Sequence, residues 1–244
     1  MSSLFEQIDC RQTPLGEIVL RRRRLLGLGG IDVYEVKLDE EFLMSSLFHE
    51  AEVALATIVL GRLGRLGGEA WDVVVGGLGL GYTALAVLEF PQVQRLVVIE
   101  ALEAVIDWHV QRLVPNGVRL TADARCIFHR GDFFALTRDE GFDPEGPGHR
   151  FDAVLLDIDH SPDHHLHPSH AGFYTEEGLR RLRRSVAPGG VFGLWSNDPP
   201  QEGFMERLSR VFSGVEGHRI TFPNPLQNAV SSAGIYIARR APES

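Results

Sequence analysis

Residues 71–100 read WDVVVGGLGLGYTALAVLEFPQVQRLVVIE. Asp72 to Val75 is a β-branched run of strand type, and Gly76, Gly77, Gly79 and Gly81 make a glycine-rich turn. A helix is expected over roughly Tyr82 to Glu89, then a second strand over Arg95 to Ile99 that ends on the carboxylate of Glu100. This is one βαβ unit. Glycine lets the backbone turn sharply and approach a ligand with no Cβ in the way. An acid about twenty residues beyond such a turn is placed to accept hydrogen bonds from ribose hydroxyls. A glycine turn alone is a weak signal, but between two β-branched strands and followed by Glu100 it indicates a nucleoside pocket.

Outward from this unit, a chain of 244 residues fits one large domain or a main domain with a small appendage. The balance is acidic, 24 basic against 33 acidic residues, which gives no global attraction for nucleic acid. Lys37 is the one lysine, and the arginine excess reflects coding composition rather than phosphate recognition. The runs Arg21 to Arg24 and Arg180 to Arg184 read as solvated faces of a strand and a helix. Cys10 and Cys126 match no zinc or redox spacing, so a reduced cytoplasmic protein is expected. The first twelve residues lack a secretion signal, and the long apolar window from Val73 to Leu88 is broken by glycines, so no membrane association is expected.

Residues 1–40 contain two short β-type runs, GEIVLRRR and GIDVYEVKL, joined by RLLGLGG, and are assigned as a small N-terminal β-hairpin region. From Asp39 to about Arg65 the apolar period is helical. After Glu100 come a helix ending at Pro115 to Gly117, a third strand over CIFHRGDFF with Asp132 at its exit, and a Gly/Pro loop from Gly141 to Gly148. A fourth strand fits FDAVLLDID. It is followed by a His-rich loop (His160 to His170), a helix from Glu176 to Val186, the turn APGG, and a fifth strand VFGLWSN. A helix from Glu202 to Phe212 and two β runs, HRITFP and AGIYIARR, close the chain. The order predicts an α/β domain over 41–244, with a mostly parallel sheet of about seven strands and helices on both faces. Ligands bind outside the carboxyl ends of such strands, which gathers Gly77 to Gly81, Glu100, Asp132, Asp157 and the His-rich loop at one edge.

The series GGLGLG, IE, GDFF, FDAVLLDID and APGGVFGLWSN resembles the motif series of class I S-adenosylmethionine-dependent transferases, whose Rossmann-like methyltransferase sheet is the fold class it implies. Within that group the chain is similar to the spermidine synthase (polyamine aminopropyltransferase) family. QTPLGEIVL resembles the family's opening hairpin, Phe48-His49-Glu50 stands where the family has Tyr-His-Glu or Tyr-Gln-Glu, and FYTEEGL and ITFP fit later motifs. The resemblance implies that S-adenosylmethionine or its decarboxylated form is the co-substrate. Gly77, Gly79, Leu80 and Gly81 would pass under its sulfonium and ribose, Glu100 with Ala101 would hold the ribose, and Asp132 with Phe133 would recognise adenine. Asp157 would lie at the reacting centre, where a carboxylate can take the proton of an attacking amine. Asp159 and His160 join it as catalytic candidates, and Phe48, His49, Trp195 and Phe222 are the candidate substrate pocket.

The departures from the family pattern fall on the acceptor side. Leu80 stands where the family's glycine turn carries an aspartate for the aminopropyl amine, His160 where the gate motif has its second acid, and Phe48 and Phe222 where two tyrosines face the polyamine. A buried ammonium without such partners costs several kcal/mol. The expectation is a kept nucleoside half and a remade acceptor half, taking a small-molecule amine or another small acceptor, with Asp159 as one replacement acid. Three functions stay open: aminopropyl transfer to an amine, methyl transfer to a small molecule, and a non-catalytic nucleoside-binding homologue. His160, His164, His165, His167 and His170, with Asp157, Asp159 and Asp163, could ligate a divalent metal, but they lack regular ligand spacing and read as a lid, so no metal is expected. Trp195 to Asp198 either line the acceptor pocket or make a plain turn closed by Pro199 and Pro200, and His49 faces either the pocket or the helix surface. A homodimer is compatible with these readings.

Overall fold

The computed structural model describes residues 4–138, 141–146 and 148–243; the Pro147 position of the Gly/Pro loop and the first three residues of the N-terminal region lie outside them. The described residues form two sheets. The first is antiparallel, with β1 (Phe5–Thr13), β2 (Gly16–Leu25), β3 (Ile31–Leu38) and β4 (Glu41–Ser45) in sequence order. The expected hairpin is therefore the inner pair of a four-stranded sheet. The helix expected from Asp39 begins later, as α1 (Glu50–Gly64). Residues 41–45 pair with β3 (Lys37 with Phe42, Glu35 with Ser45), so pairing overrides the apparent helical period of Phe42 and Leu43. Arg21 and Arg22 are not simply solvated: Arg21 donates to Glu35 at 2.7 Å and Arg22 approaches Glu6 at 2.8 Å, each acid on a neighbouring strand.

The second sheet has β5 (Trp71–Gly76), β6 (Val93–Glu100), β7 (Cys126–Arg130), β8 (Phe151–Leu156), β9 (Val186–Ser196), β10 (Ser213–Asn224) and β11 (Ala229–Arg239). Their spatial order is β10-β11-β9-β8-β5-β6-β7. The pairs among β9, β8, β5, β6 and β7 are parallel, and β11 pairs antiparallel to both β9 and β10. Strand direction and side-chain alternation explain the two layers. Val73 and Val75 join one core cluster with Leu55 and Val59 of α1, Val87 of α2 (Tyr82–Leu88) and Trp108 of α3 (Glu103–Val110). Val74 points the other way, into a cluster with Leu179 of α6 (Glu176–Ser185) and Phe204 of α7 (Glu202–Ser209).

Several element ends differ from the sequence expectation, and the expected turn APGG lies inside β9. After α3, residues Gly117–Ala122 form a further short helix, α4, where a terminating turn was expected. The third strand stops at Arg130, because Asp132 caps a one-turn helix, α5 (Phe133–Leu136), by accepting the N–H groups of Phe134 (2.8 Å) and Ala135 (3.3 Å). α7 ends at Ser209 rather than Phe212. The N-terminal sheet is fixed to the larger one by the Trp108 indole N–H, which donates to Asp9 at 2.7 Å, and by Arg11, which donates to Asp107 at 2.5 Å. That attachment lays β2, β3 and β4 over the carboxyl ends of β5 and β6, where a cavity forms beneath them.

A candidate active site of two joined chambers

β5 lies between β6 and β8, and the chain runs outward from it in both directions, so the carboxyl ends of β5 and β8 border the crevice at the switch point. The glycine turn after β5 is stitched to both neighbours: the Gly77 N–H donates to the Ile99 carbonyl (2.9 Å) and the Asp157 N–H to the Gly76 carbonyl (2.8 Å). Gly77 has φ 97°, and a Cβ there would lie 2.1 Å from the Asp157 carbonyl oxygen. No other residue fits that position. Behind the turn, the His109 Nε2–H donates to the Gly79 carbonyl at 2.9 Å and the Asn116 side-chain amide to the Leu80 carbonyl at 3.0 Å. Burial pushes the His109 imidazole down to about 4, so it is neutral at pH 7.

One chamber, about 320 Å³, lies between this turn and the N-terminal sheet. Gly77, Gly79, Glu100, Ala101, Asp132 and Phe133, all named as candidates from the sequence, line it together, while Leu38, Leu43 and Met44 roof it. Glu100 is held by backbone donors: its Oε2 accepts the Leu78 N–H at 3.0 Å and its Oε1 the Leu102 N–H at 2.9 Å. Burial nevertheless pushes its carboxyl above the usual range, with those N–H groups pulling the other way. Asp132 spends Oδ1 on the α5 cap. Phe133 contributes to the wall but belongs to the core: it is 1% exposed and stacks on Phe142 with ring centroids 4.5 Å apart.

The second chamber, about 450 Å³, opens on the other side of the turn. Phe48, Trp195 and Phe222 line it, with Gly81, Leu80, Tyr82 and Asn197. Trp195 and Asn197 thus border this chamber. Asn197 also donates its N–H to the His160 carbonyl at 2.7 Å. His49 is absent from the lining and stacks instead on Tyr82, ring centroids 4.3 Å apart and nearly parallel, so it backs a wall residue. Leu80 lines this chamber rather than the smaller one, and 2% of it is exposed.

Asp157 lines both chambers and stands where they meet. Its Oδ2 accepts the Thr83 hydroxyl at 2.6 Å. Part of its surface opens to the cavity, but its surroundings are protein, and burial raises its carboxyl while the Thr83 bond opposes the rise. A second carboxylate, unassigned from the sequence, shares the larger chamber: Glu52, in the first turn of α1, is raised by burial and then by the charge of Asp157. The signal available in the sequence was a charge inside the apolar run EAEVALATIVL, which reads equally as an ordinary first-turn acid.

Asp159 goes elsewhere, while His167 and His170 line the smaller chamber and His160 the larger one. Asp159 is 1% exposed and lines neither chamber. Its Oδ1 accepts the Leu166 N–H and meets His170 Nδ1, both at 2.8 Å, and its Oδ2 accepts the Tyr174 hydroxyl at 2.9 Å. It organises the loop instead of facing a ligand. His170 stacks on Phe134, His165 on Tyr174, and His167 caps the 3-10 turn Pro168–Gly172. His160 lines the larger chamber and meets Glu41 of β4 at 2.8 Å, joining the loop to the N-terminal sheet. Among the described residues, no group of three or more His, Cys, Asp or Glu is placed to share a metal ion. Among them, too, no helix is long and apolar enough to cross a membrane.

No protein-family model matches the chain. Over 193 residues it is 28% identical to the polyamine aminopropyltransferase of Nitrosomonas europaea, covering 78% of this chain and 52% of that protein. The chain therefore spans about half the length of that curated relative. Among solved structures, it superposes on a spermidine synthase in complex with the transition state analogue AdoDATO with a TM-score of 0.71, at 17% identity over 97% of this chain and 73% of that one. The spermidine synthase of Thermotoga maritima gives 0.70, at 17% identity, 97% and 74%. A probable spermidine synthase of Corynebacterium glutamicum gives 0.62, at 14% identity, 98% and 81%. The fold is spermidine-synthase-like: a class I methyltransferase-type sheet with a small antiparallel sheet at its N-terminal side.

Proposed function

We propose that this protein is a transferase that carries an aminopropyl group from decarboxylated S-adenosylmethionine to the nitrogen of a small amine. The observation that carries this proposal is the meeting of two chambers at one carboxylate, Asp157. A group transfer between two small molecules needs two sites whose ligands touch at the reacting atoms. The smaller chamber suits an adenosyl group: Glu100 offers carboxylate oxygens to ribose hydroxyls, Asp132 keeps Oδ2 for an exocyclic amino group, and the turn gives a backbone floor without side chains. The sulfonium then lies at the junction.

In the transfer step, the acceptor nitrogen's lone pair forms a C–N bond to the methylene carbon beside sulfur, and the C–S electrons stay on sulfur, leaving methylthioadenosine. Asp157 receives the proton that the nitrogen loses. Its raised pKa suits a group that must accept a proton near neutral pH. The larger chamber also bears on the choice of donor. Its lining carboxylates, Glu52 and Asp157, repel the α-carboxylate of S-adenosylmethionine and attract the free ammonium of the decarboxylated form. This weighs against methyl transfer from the carboxylated donor.

Isothermal calorimetry with the decarboxylated donor, S-adenosylmethionine and methylthioadenosine tests the proposal. The expected order is decarboxylated donor tightest and S-adenosylmethionine weakest. Tightest binding of S-adenosylmethionine would favour methyl transfer, and no binding of any of the three would remove the nucleoside site.

A further inference from the structure

The two chambers hold few charged groups, and the count limits what can react in them. Among the residues lining the larger chamber, the carboxylates are Glu52 and Asp157. Asp159 is sealed inside the loop, and Glu41 is engaged with His160 at the rim. The other polar side chains of that lining include Asn197, Asn224, Ser231 and Ser232, all neutral, and the walls are aromatic at Phe48, Tyr82, Trp195 and Phe222. The glycine turn contributes no acid, since Leu78 and Leu80 occupy its non-glycine positions.

We infer that Glu52 holds the ammonium of the transferred aminopropyl group, and that the acceptor is therefore a monoamine with a neutral, partly apolar body rather than a diamine. This rests on the aminopropyl-transfer reading above. Glu52 lines only the larger chamber, into which a three-carbon chain extending from a sulfonium at the junction must run. Asp157 is needed at the junction for the acceptor's proton. A second acceptor ammonium would lie among amides, hydroxyls and aromatic rings, where a desolvated charge without a carboxylate is strongly disfavoured. Burial supports the same division. With no cation present, the two carboxyls repel each other and retain a proton, and an ammonium beside Glu52 replaces that proton with a charge partner.

A matched pair of acceptors tests the inference in the intact protein. 4-Amino-1-butanol and 1,4-diaminobutane differ only in the far group, hydroxyl or amine, and methylthioadenosine release reports turnover of either. The expected result is a kcat/KM at least about tenfold higher for the amino alcohol, a penalty of about 1.4 kcal/mol for the second charge. Calorimetry on Glu52→Gln supplies the second arm. The variant should lose at least about tenfold in affinity for the decarboxylated donor while binding methylthioadenosine, which lacks the ammonium, unchanged. A diamine preferred over the amino alcohol, or equal losses for the two nucleosides in the variant, would overturn the inference. Failure of the wild-type protein to bind methylthioadenosine at all would instead count against the function on which the inference rests.

Discussion

The two chambers that meet at Asp157 hold their acids in opposite ways. In the smaller chamber, Glu100 and Asp132 are each tied to two backbone N–H groups, so their positions follow from the strand ends and helix starts that carry them. In the larger chamber, among the described residues, Asp157 accepts the Thr83 hydroxyl and Glu52 is helped by its own backbone N–H. Carboxylates fixed by backbone serve recognition of a constant shape. Burial raises Glu100 as well as Glu52 and Asp157, so the difference lies in placement: carboxylates with few fixed partners respond to whatever charge arrives. The comparison teaches that backbone at strand ends and helix starts places the acids of the smaller chamber, while side-chain surroundings place those of the larger one.

The sharpest way to break this comparison is at the junction. Asp157→Asn keeps the size and the Thr83 contact but cannot accept a proton, so kcat should fall roughly 10²- to 10⁴-fold. Methylthioadenosine affinity should stay within about threefold of wild type, an effect below about 1 kcal/mol. Steady-state kinetics and calorimetry on the same preparation check both halves, and an unchanged kcat would remove Asp157 from the reaction.

The support beneath the glycine turn gives the next effect. His109 titrates near 6.5 when unfolded and at about 4 when folded, so below pH 6.5 the unfolded chain binds the extra proton. Stability from this group is complete above pH 6.5 and declines as pH falls toward 4, by about 3 kcal/mol in all. The raised carboxyls of Glu52 and Asp157 act with the opposite sign, since the folded state binds their protons first as pH falls. His109→Gln does not titrate, and its amide can still donate to Gly79, so the variant should lose less stability than wild type between pH 7 and pH 4.5. Urea denaturation at the two values measures the difference, and parallel losses would show that His109 is not the titrating group.

The smallest effect belongs to the acceptor wall. Phe222 lies 5.9 Å from Phe48, ring to ring, and Phe222→Tyr adds one hydroxyl to a neutral wall. A neutral hydrogen bond contributes about 1 kcal/mol, so acceptor preference should move by less than about tenfold toward a diamine. A larger gain would mean that hydroxyls, more than carboxylates, set the selectivity of this chamber.

Much of this architecture was legible in residues 71–100 alone. β-branched runs, glycines and a terminal acid specify a strand, a turn and a strand through local rules, and the later strands repeat the pattern with Asp132 and Asp157 at their ends. What was missed depended on contacts distant in sequence. Residues 41–45 became a strand because β3 offered a pairing edge, and CIFHRGDFF broke after Arg130 because Asp132 could cap the next turn. Asp159 was a reasonable catalytic candidate by position, yet Tyr174 and His170, fifteen and eleven residues further on, close around it.

The sequence by itself determined the sheet and the edge where the glycine turn and the strand-end acids gather, because period, glycine geometry and strand-end acids act over a few residues. Only the tertiary structure decided which acids face a ligand. Glu52 enters the chamber because the first turn of α1 lines it together with the glycine turn, and Asp159 leaves it because the loop folds back on itself. Whether a carboxylate recognises a substrate or braces a loop depends on what surrounds it, and those surroundings exist only once the chain has folded.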